Sequence, residues 1–461
     1  MKSGVRRLAA VVSVAFIILM AYLTYIQAYA GEKLYLSPLN PRLTLVEKNT
    51  QRGTIYDRAG RVLASTTGVE GSFRRQYPYG AATAAVVGYV SERYGNSGLE
   101  ASRAGDLLGL NGWQRFINEG SRLTGEIARG NDLHLTLDAE WQQLAANLLA
   151  GRRGAVVAIE PRTGAVRVLA SSPTFDPNYL EEQWEEINAP QAGSPLLNRA
   201  VQGLYPPGSI LKLVTAAAAL EADPGILHRR YYCPGCLEVE GWQLTCPRAH
   251  GEIDFQGAVK QSCNVTFASL ALETGAERFK EAAARFGFGR SQDFDLPLEL
   301  SQVPEQMDAN MLAESSIGQG EVLATPLQMA LVTAAIANRG IMMQPYLVAG
   351  ISSAEGQPVW QYRFRPLKIV AGAEVVAALT EAMVVTVNEG TATAAALPGV
   401  QVAAKTGSAQ NPGGAAHAWL VAFAPADDPQ LAVAVVVENA GSGGVVAAPI
   451  AREIMAAALR R

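Results

Sequence analysis

Ser209 follows Pro206-Pro207-Gly208 and precedes Lys212 by three positions, within the stretch QGLYPPGSILKLVTAAAALE. Prolines break a helix interior but pre-set its first turn, so a helix is expected to begin at the serine. The unpaired N–H groups and positive dipole end found there favour an anion developing at the hydroxyl. Lys212 falls one turn on and on the same face. Ile210, Leu211, Leu213, Val214 and a run of alanines surround it, and an ammonium desolvated in that setting gives up its proton more readily. A neutral lysine beside a serine hydroxyl is a base beside a nucleophile. Alone, though, a Ser-x-x-Lys at a helix start is more often an N-cap followed by a solvated lysine. The reading depends on what else the chain supplies.

Two further segments have suitable chemistry. In Ser262-Cys263-Asn264 a hydroxyl can accept from one lysine and donate to another, and an amide beside it can hold a peptide carbonyl. By itself the triplet is equally a turn or helix cap. In Lys405-Thr406-Gly407-Ser408, Lys405 and Thr406 can bind a carboxylate. Gly407 allows another backbone to approach a sheet edge, and the Ser408 N–H can pair with that of Ser209 as an oxyanion hole. Read in isolation, this is an exposed strand end.

The elements that must position these groups are legible in outline. GAVVAIEPRTGAVRVLASSP pairs two β-branched runs across Pro-Arg-Thr-Gly, a hairpin signal. Helical stretches follow, among them ILKLVTAAAALEA and TPLQMALVTAAIANRG, the second opening on Thr-Pro and closing at Gly340. Three strands within 400–440 and a terminal helix APIAREIMAAALRR complete the chain. That order predicts an α+β fold, an antiparallel sheet covered by helices, over residues 151–461. Residues 31–150 read as a small N-terminal pedestal or docking module, with short strands across LNPRLTLVEKNTQRGTIYDRAGRVLAST, a turn at Asp57–Gly60 and a helix in LDAEWQQLAANLLAG.

Residues 1–30 set the compartment. Lys2, Arg6 and Arg7 precede an uncharged, mostly apolar run from Leu8 to Ala30 that is long enough to cross a bilayer, with the short N-terminus in the cytoplasm and the rest of the chain outside. Ala28-Tyr29-Ala30 has the form of a cleavage site, but the run exceeds a signal core, so a retained single-pass anchor in the cytoplasmic membrane is expected. A net charge of −4 offers no basic face for nucleic acid. Cys233, Cys236, Cys246 and His250 have the C-x2-C-x9-C-x3-H spacing of a Cys3His zinc site. A disulfide from Cys233 or Cys236 to Cys246, or free thiols, fits the same residues. Cys263 reads as a small buried filler.

Serine-x-x-lysine, serine-x-asparagine and lysine-threonine-glycine in this order form the motif set of active-site serine penicillin-recognising enzymes. With RGTIYDRAGRVLA, GLE at 98–100, NRAVQGLYPPGSILK, GQGEVLATPLQMA and HAWLVAFAP, nearly the whole chain resembles class B penicillin-binding proteins, specifically the smaller type of Gram-positive bacteria. The resemblance implies a β-lactamase/transpeptidase-like domain acting as a peptidoglycan D,D-transpeptidase, without cofactor. Ser209 would be the nucleophile attacking a D-Ala-D-Ala stem peptide and Lys212 its base. Ser262 would be a proton shuttle and Asn264 a substrate anchor, with Lys405 and Thr406 on the terminal carboxylate. β-Lactams would acylate Ser209. It further implies a SEDS-type glycan polymerase of the elongation or division machinery as partner, met through the anchor and the RGTIYDRAG region. Ala404, where glycine is usual, and Ser408, where threonine is commoner, depart from the pattern. A β-lactamase or D,D-carboxypeptidase shares the motifs but passes the acyl group to water. A sensor of β-lactams, or a scaffold that activates the polymerase, is the reading from a different class.

Overall fold

The structure, a computed structural model, describes residues 2–26, 29, 41–411 and 413–460. Lys2–Tyr25 is one continuous helix. Its Gly4–Tyr25 part has a mean hydropathy of 2.3 and no buried residue, the length and composition that can cross a membrane. The cleavage motif read at 28–30 and the boundary at residue 31 fall outside the described residues.

The N-terminal module is built on a six-stranded sheet ordered Pro358–Gln361, Val348–Ser352, Asp132–Leu135, Ile55–Tyr56, Val62–Thr67 and Arg74–Gln76. Two of these strands come from far along the chain, which corrects a strict division at residue 150. The returning segment is tied in by His134, whose Nε2 meets Ser352 Oγ at 2.8 Å and whose ring stacks on Tyr56. A second difference is the Pro41–Asn49 helix, where strand was expected; the proline occupies the first helical position, where its missing N–H costs nothing. The expected turn is present, with Gly60 at φ +79° and its N–H donating to Asp57 O at 3.1 Å.

The RGTIYDRAG and GLE landmarks prove to be internal bracing. The Glu100 carboxylate is fully buried and accepts from Arg52 Nε at 2.6 Å and Arg75 Nε at 2.7 Å. A Cβ on Gly53 would lie 1.8 Å from Asn131 O, so that strand can approach only over a glycine. Asp57, also buried, accepts from the N–H groups of Ala59, Arg61 and Ala139. Of this stretch Arg58, Ala59 and Gly60 are exposed.

The second sheet, of five longer strands, is antiparallel throughout, in the order Val166–Ser172, Gly154–Ile159, Leu431–Val437, His417–Ala424 and Ala403–Ala409. Helices cover both faces, which explains why its central strands read as unbroken apolar runs rather than alternating ones. Ala155, Val157, Ala434 and Val436 point into the core shared with Pro326–Ala337 and Lys212–Ala222. Val156, Ala158, Val433 and Val435 point the other way, under the terminal Gly443–Leu459 helix. The Ala139–Leu149 helix, expected in the N-terminal module, packs on this second face. Its Gln142 side chain donates to Leu169 O and accepts from Leu169 N, and Trp141, Ala145 and Leu149 join the second core. Its N-cap Asp138 accepts from the N–H groups of Glu140 and Trp141. Thr325 caps Pro326–Ala337 through Gln328 N, as its sequence signals predict.

Candidate active site

Ser209 sits in a 3-10 turn, Gly208–Leu211, that leads into the Lys212–Ala222 helix. In a 3-10 turn side chains three apart eclipse, which stacks Lys212 directly on the serine's side of the helix. Three contacts fix the turn. Gly208, at φ +58°, donates its N–H to Gly318 O at 2.8 Å. Trp419 Nε1 donates to Pro206 O at 3.0 Å. Arg199, buried at 4% exposure, pairs with Glu438 at 2.8 Å, and the same carboxylate oxygen accepts from Tyr205 OH at 2.8 Å. A buried arginine needs a carboxylate, so the Asn-Arg-Ala landmark carried a signal for this bracing, but the partner lies 239 positions away.

Lys212 is 1% exposed and Lys405 is fully buried. Lys212 Nζ donates to Ser262 O at 2.7 Å, Ser262 Oγ at 3.3 Å and Asn264 Oδ1 at 2.7 Å. Lys405 Nζ reaches the same Ser262 Oγ at 2.8 Å and donates to Thr406 O at 3.0 Å. Two amines thus share one hydroxyl, and none of these bonds goes to a carboxylate. Burial disfavours the ammonium form and pulls the Lys212 pKa down to about 7. Burial, and after it the charge of Lys212, holds Lys405 well below the usual lysine range. Ser262 has φ +56°, a left-handed conformation that costs a serine on the order of 1 kcal/mol. Held there, the residue presents both its carbonyl and its hydroxyl to Lys212.

The structure therefore brings together Ser209, Lys212, Ser262, Asn264 and Lys405, with one difference from expectation. The donors of Lys212 are directed to Ser262 and Asn264, and among the described residues no hydrogen bond joins Lys212 to the Ser209 hydroxyl. Catalytic contacts in unliganded sites are often longer than bonding distance and tighten on substrate binding.

The Lys-Thr-Gly strand, Ala403–Ala409, is the edge of the sheet. Side chains alternate along it, so Thr406 and the exposed Ser408 lie on the face opposite Lys405. Thr406 Oγ1 is 2.6 Å from Thr391 Oγ1. A clamp made by the Lys405 and Thr406 side chains next to one another is therefore corrected, because the Lys405 amine lies inside the protein. Gly407 also has a different role from the one expected. A Cβ there would lie 3.0 Å from Trp419 Cβ and 3.1 Å from Pro207 O, so it is the serine's own turn that the glycine admits. Ala404 is buried in the second core, which removes it from the groove and leaves Ser408 as the departure that faces solvent.

Residues whose sequence context assigned them no role beside Ser209 complete the site. A Cβ on Gly318 would lie 2.1 Å from Gly208 O, which places the Gly-Gln-Gly loop against the serine turn. Cys246 Sγ accepts from Asn264 N at 3.1 Å, and Asn264 Nδ2 donates to Thr245 O at 2.8 Å. All four cysteines are free in this structure, so of the readings left open the disulfide is not the one it adopts. The set that converges is Cys233, Cys246, His250 and Cys263; Cys236 is outside it and Cys263 is inside, reversing the reading from spacing. Cys236 pairs with Thr245 in a neighbouring hairpin.

A helix-covered antiparallel sheet with a serine, two buried lysines and a bridging hydroxyl at its edge defines a class of serine acyl-transferring proteins, and comparison narrows it. The chain belongs to the penicillin-binding protein family: the penicillin binding protein transpeptidase domain matches residues 154–456, and the penicillin binding protein A dimerisation domain matches residues 52–133. It is 37% identical to the peptidoglycan D,D-transpeptidase PbpA of Mycolicibacterium smegmatis, covering 100% of this chain and 99% of that protein. It is 31% identical to MrdA of Escherichia coli, over 82% of this chain and 70% of that one. Among solved structures, the ceftriaxone acyl-enzyme complex of penicillin-binding protein A from M. tuberculosis superposes with a TM-score of 0.85 at 34% identity, covering 90% of this chain and 100% of that chain. Penicillin-binding protein 2 of Pseudomonas aeruginosa gives 0.77 at 30% identity, over 90% and 97% of the two chains.

Proposed function

We propose that this protein is a peptidoglycan D,D-transpeptidase working through a Ser209 acyl-enzyme, and that β-lactams inhibit it by acylating the same serine. The observation that carries this reading is the Ser262 hydroxyl, shared by two buried amines beneath the Ser209 turn. Neutral Lys212 takes the Ser209 proton as Oγ attacks the penultimate D-alanine carbonyl of a stem peptide. The N–H groups of Ser209 and Ser408, on two segments held together at Gly407, stabilise the oxyanion. The proton passes through Ser262 to the departing D-alanine amine. An amine of a neighbouring stem then attacks the ester, gives its proton back along the same path, and restores Ser209 with a new peptide bond formed. Asn264 holds a substrate amide, and the hydroxyls of Thr406 and Ser408 hold the terminal carboxylate within reach of the sheet edge. The hydrogen bonds of Lys212, Lys405, Ser262 and Asn264 among the described residues include no carboxylate to activate water, which favours transfer to an amine over the β-lactamase and D,D-carboxypeptidase readings.

In this reading the N-terminal helix anchors the chain with Lys2, Arg6 and Arg7 inside and the catalytic unit outside the cytoplasmic membrane. The N-terminal module, completed by the returning strands Val348–Ser352 and Pro358–Gln361, is a pedestal that meets a SEDS-type glycan polymerase, and the rest of 151–461, with the Ala139–Leu149 helix on its second face, is the penicillin-binding unit. Labelling the membrane fraction with a fluorescent penicillin and mapping the adduct by mass spectrometry tests the site. Modification at Ser209, lost in Ser209→Ala, is expected; an adduct elsewhere overturns the assignment. A Ser209→Ala chain that sustained wall synthesis would support the scaffold reading instead.

A further inference from the structure

A cleft of about 490 Å³ lies between the N-terminal module and the penicillin-binding unit, a volume within the range of small-ligand pockets. One wall is formed by the Ala84–Val87 and Gly98–Ser102 helices with Tyr89, Asn96 and Ser97 between them. The other is formed by Phe175, the 195–202 segment and Leu296 with Pro297. No residue of the Ser209 turn, the Ser262 loop or the Lys405 strand lines it. Tyr89 and Phe175 meet edge to face, ring centres 5.7 Å apart at 77°, and make an aromatic corner in a small core with Leu180 and Ile187.

Two polar side chains lining the cleft have an atom without a partner. Tyr89 is 7% exposed, and among the described residues its hydroxyl makes no hydrogen bond; burial alone pushes its pKa up. Asn96 donates through Nδ2 to Glu47 Oε1 at 2.8 Å, while its Oδ1 is buried with no partner. A buried polar atom left unpaired costs free energy that a ligand can recover by supplying the missing bond. The remaining polar lining is amide and hydroxyl, from Ser97, Ser102, Asn198 and Gln202, and no charged side chain lines the cleft. A charged ligand would enter without a counter-charge. A neutral one with an apolar face and several hydrogen-bonding groups is matched by the aromatic corner and the amides together.

Taking peptidoglycan as the substrate, as above, we propose that this cleft binds the glycan of the polymer, a chain of N-acetylated sugar rings, apart from the groove that takes the stem peptide. Of the two halves of that polymer, the stem peptides carry free carboxylates and amines, for which the cleft has no partner. The sugar rings, their acid groups taken up in amide links, carry none. The C–H face of a pyranose ring packs on the Tyr89–Phe175 corner. Its hydroxyl and acetamido groups pair with the free Tyr89 hydroxyl, with Asn96 Oδ1 and with the Gln202 amide. Asn198 Nδ2 already donates to Ala85 O at 2.6 Å from one wall to the other, so the two walls that grip the sugar are held at a fixed separation before it enters.

Titration calorimetry of the full chain in phosphatidylglycerol nanodiscs with chitotriose, a peptide-free chain of N-acetylglucosamine, tests this. Binding is expected in the wild type, in Ser209→Ala and in penicillin-acylated protein, so a failure of the acyl-enzyme reading would leave the result untouched. Bound sugar should protect 84–102 and 195–202 from hydrogen exchange. Cellotriose, which lacks the acetamido groups, and the cationic de-acetylated trimer should each bind about tenfold more weakly or worse. Tyr89→Phe removes an oxygen that has no partner in the free protein. It should keep the wild-type melting temperature and weaken binding by about fivefold, the worth of one hydrogen bond. Ser102→Trp, at the exposed rim, should block the cleft while penicillin acylation proceeds at the wild-type rate. Wild-type protein that reacts with penicillin but does not bind chitotriose would overturn the assignment. So would sugar binding that is lost on acylation, or binding equal to wild type in both Tyr89→Phe and Ser102→Trp.

Discussion

Lys405 Nζ lies 2.8 Å from Ser262 Oγ, the oxygen that Lys212 Nζ contacts at 3.3 Å, although the three residues come from segments as far as 193 positions apart. A hydroxyl between two amines can hand on a proton in either direction. Removing it in Ser262→Ala should leave the fold intact and slow acylation of Ser209 by about 10²-fold or more, the usual contribution of a positioned proton-transfer group. Time courses with fluorescent penicillin measure this; an unchanged rate would exclude the relay.

The Lys212 pKa of about 7 makes acylation pH-dependent in a defined sense. Only the neutral amine is a base, so the rate should climb about tenfold per pH unit below 7 and level off above it. A rate that falls as pH rises from 6 to 8 would contradict Lys212 as base.

The same depression has a stability counterpart. Between about 7 and the ordinary 10.5, the unfolded chain holds a proton on Lys212 that the folded chain does not. Stability should therefore rise with pH across that window, by on the order of 1 kcal/mol per unit, with the full penalty present below it. Lys212→Met should be inactive yet lack this contribution. The difference in melting temperature between variant and wild type should shrink from pH 7 to pH 10; a constant difference would mean that Lys212 is not buried as an amine.

What the sequence disclosed and what it hid follow a physical pattern. Ser209 and Lys212 were legible because one helical turn fixes their relation, and the hairpin at 154–172 because its turn chemistry is local. The double-faced burial of Val433 and Val435 against Ala434 and Val436 left no alternation to read, yet its apolar run still marked a central strand. Hidden features depended on distant partners. Pro358–Gln361 is exposed throughout, Val359 and Trp360 included, so its apolar residues mark no buried face and its return to the N-terminal sheet could not be inferred. Cys263 joins a cluster whose other members lie 13 or more positions earlier, and regular spacing pointed to Cys236 instead. The opposed faces of Lys405 and Thr406 obey period-two alternation, which the reading of the two as a joint carboxylate clamp passed over.

Gly318 is at φ +73°, and a Cβ there would meet Gly208 O at 2.1 Å, backbone against backbone. Gly318→Ala should displace the turn carrying Ser209. The expected result is a loss of acylation rate far exceeding the loss in melting temperature, since the contact orients the serine while the surrounding helices stay packed. Equal losses in both would point to general unfolding.

Glu100 offers the opposite test, far from the chemistry. Its buried carboxylate is shared by Arg52 and Arg75, which are 6% exposed or less, and Glu100→Gln would leave two buried guanidinium groups facing a neutral amide. Breaking a buried ion pair from one side costs about 3–5 kcal/mol, so the melting temperature of the N-terminal module should fall sharply. The site around Ser209 rests on the other sheet and shares none of these bonds, so protein that remains folded should acylate at the wild-type rate. If acylation fell in step with the pedestal's stability, the strands at 348–361 would be transmitting the damage, because they are the part of the later chain built into the sheet that Glu100 braces.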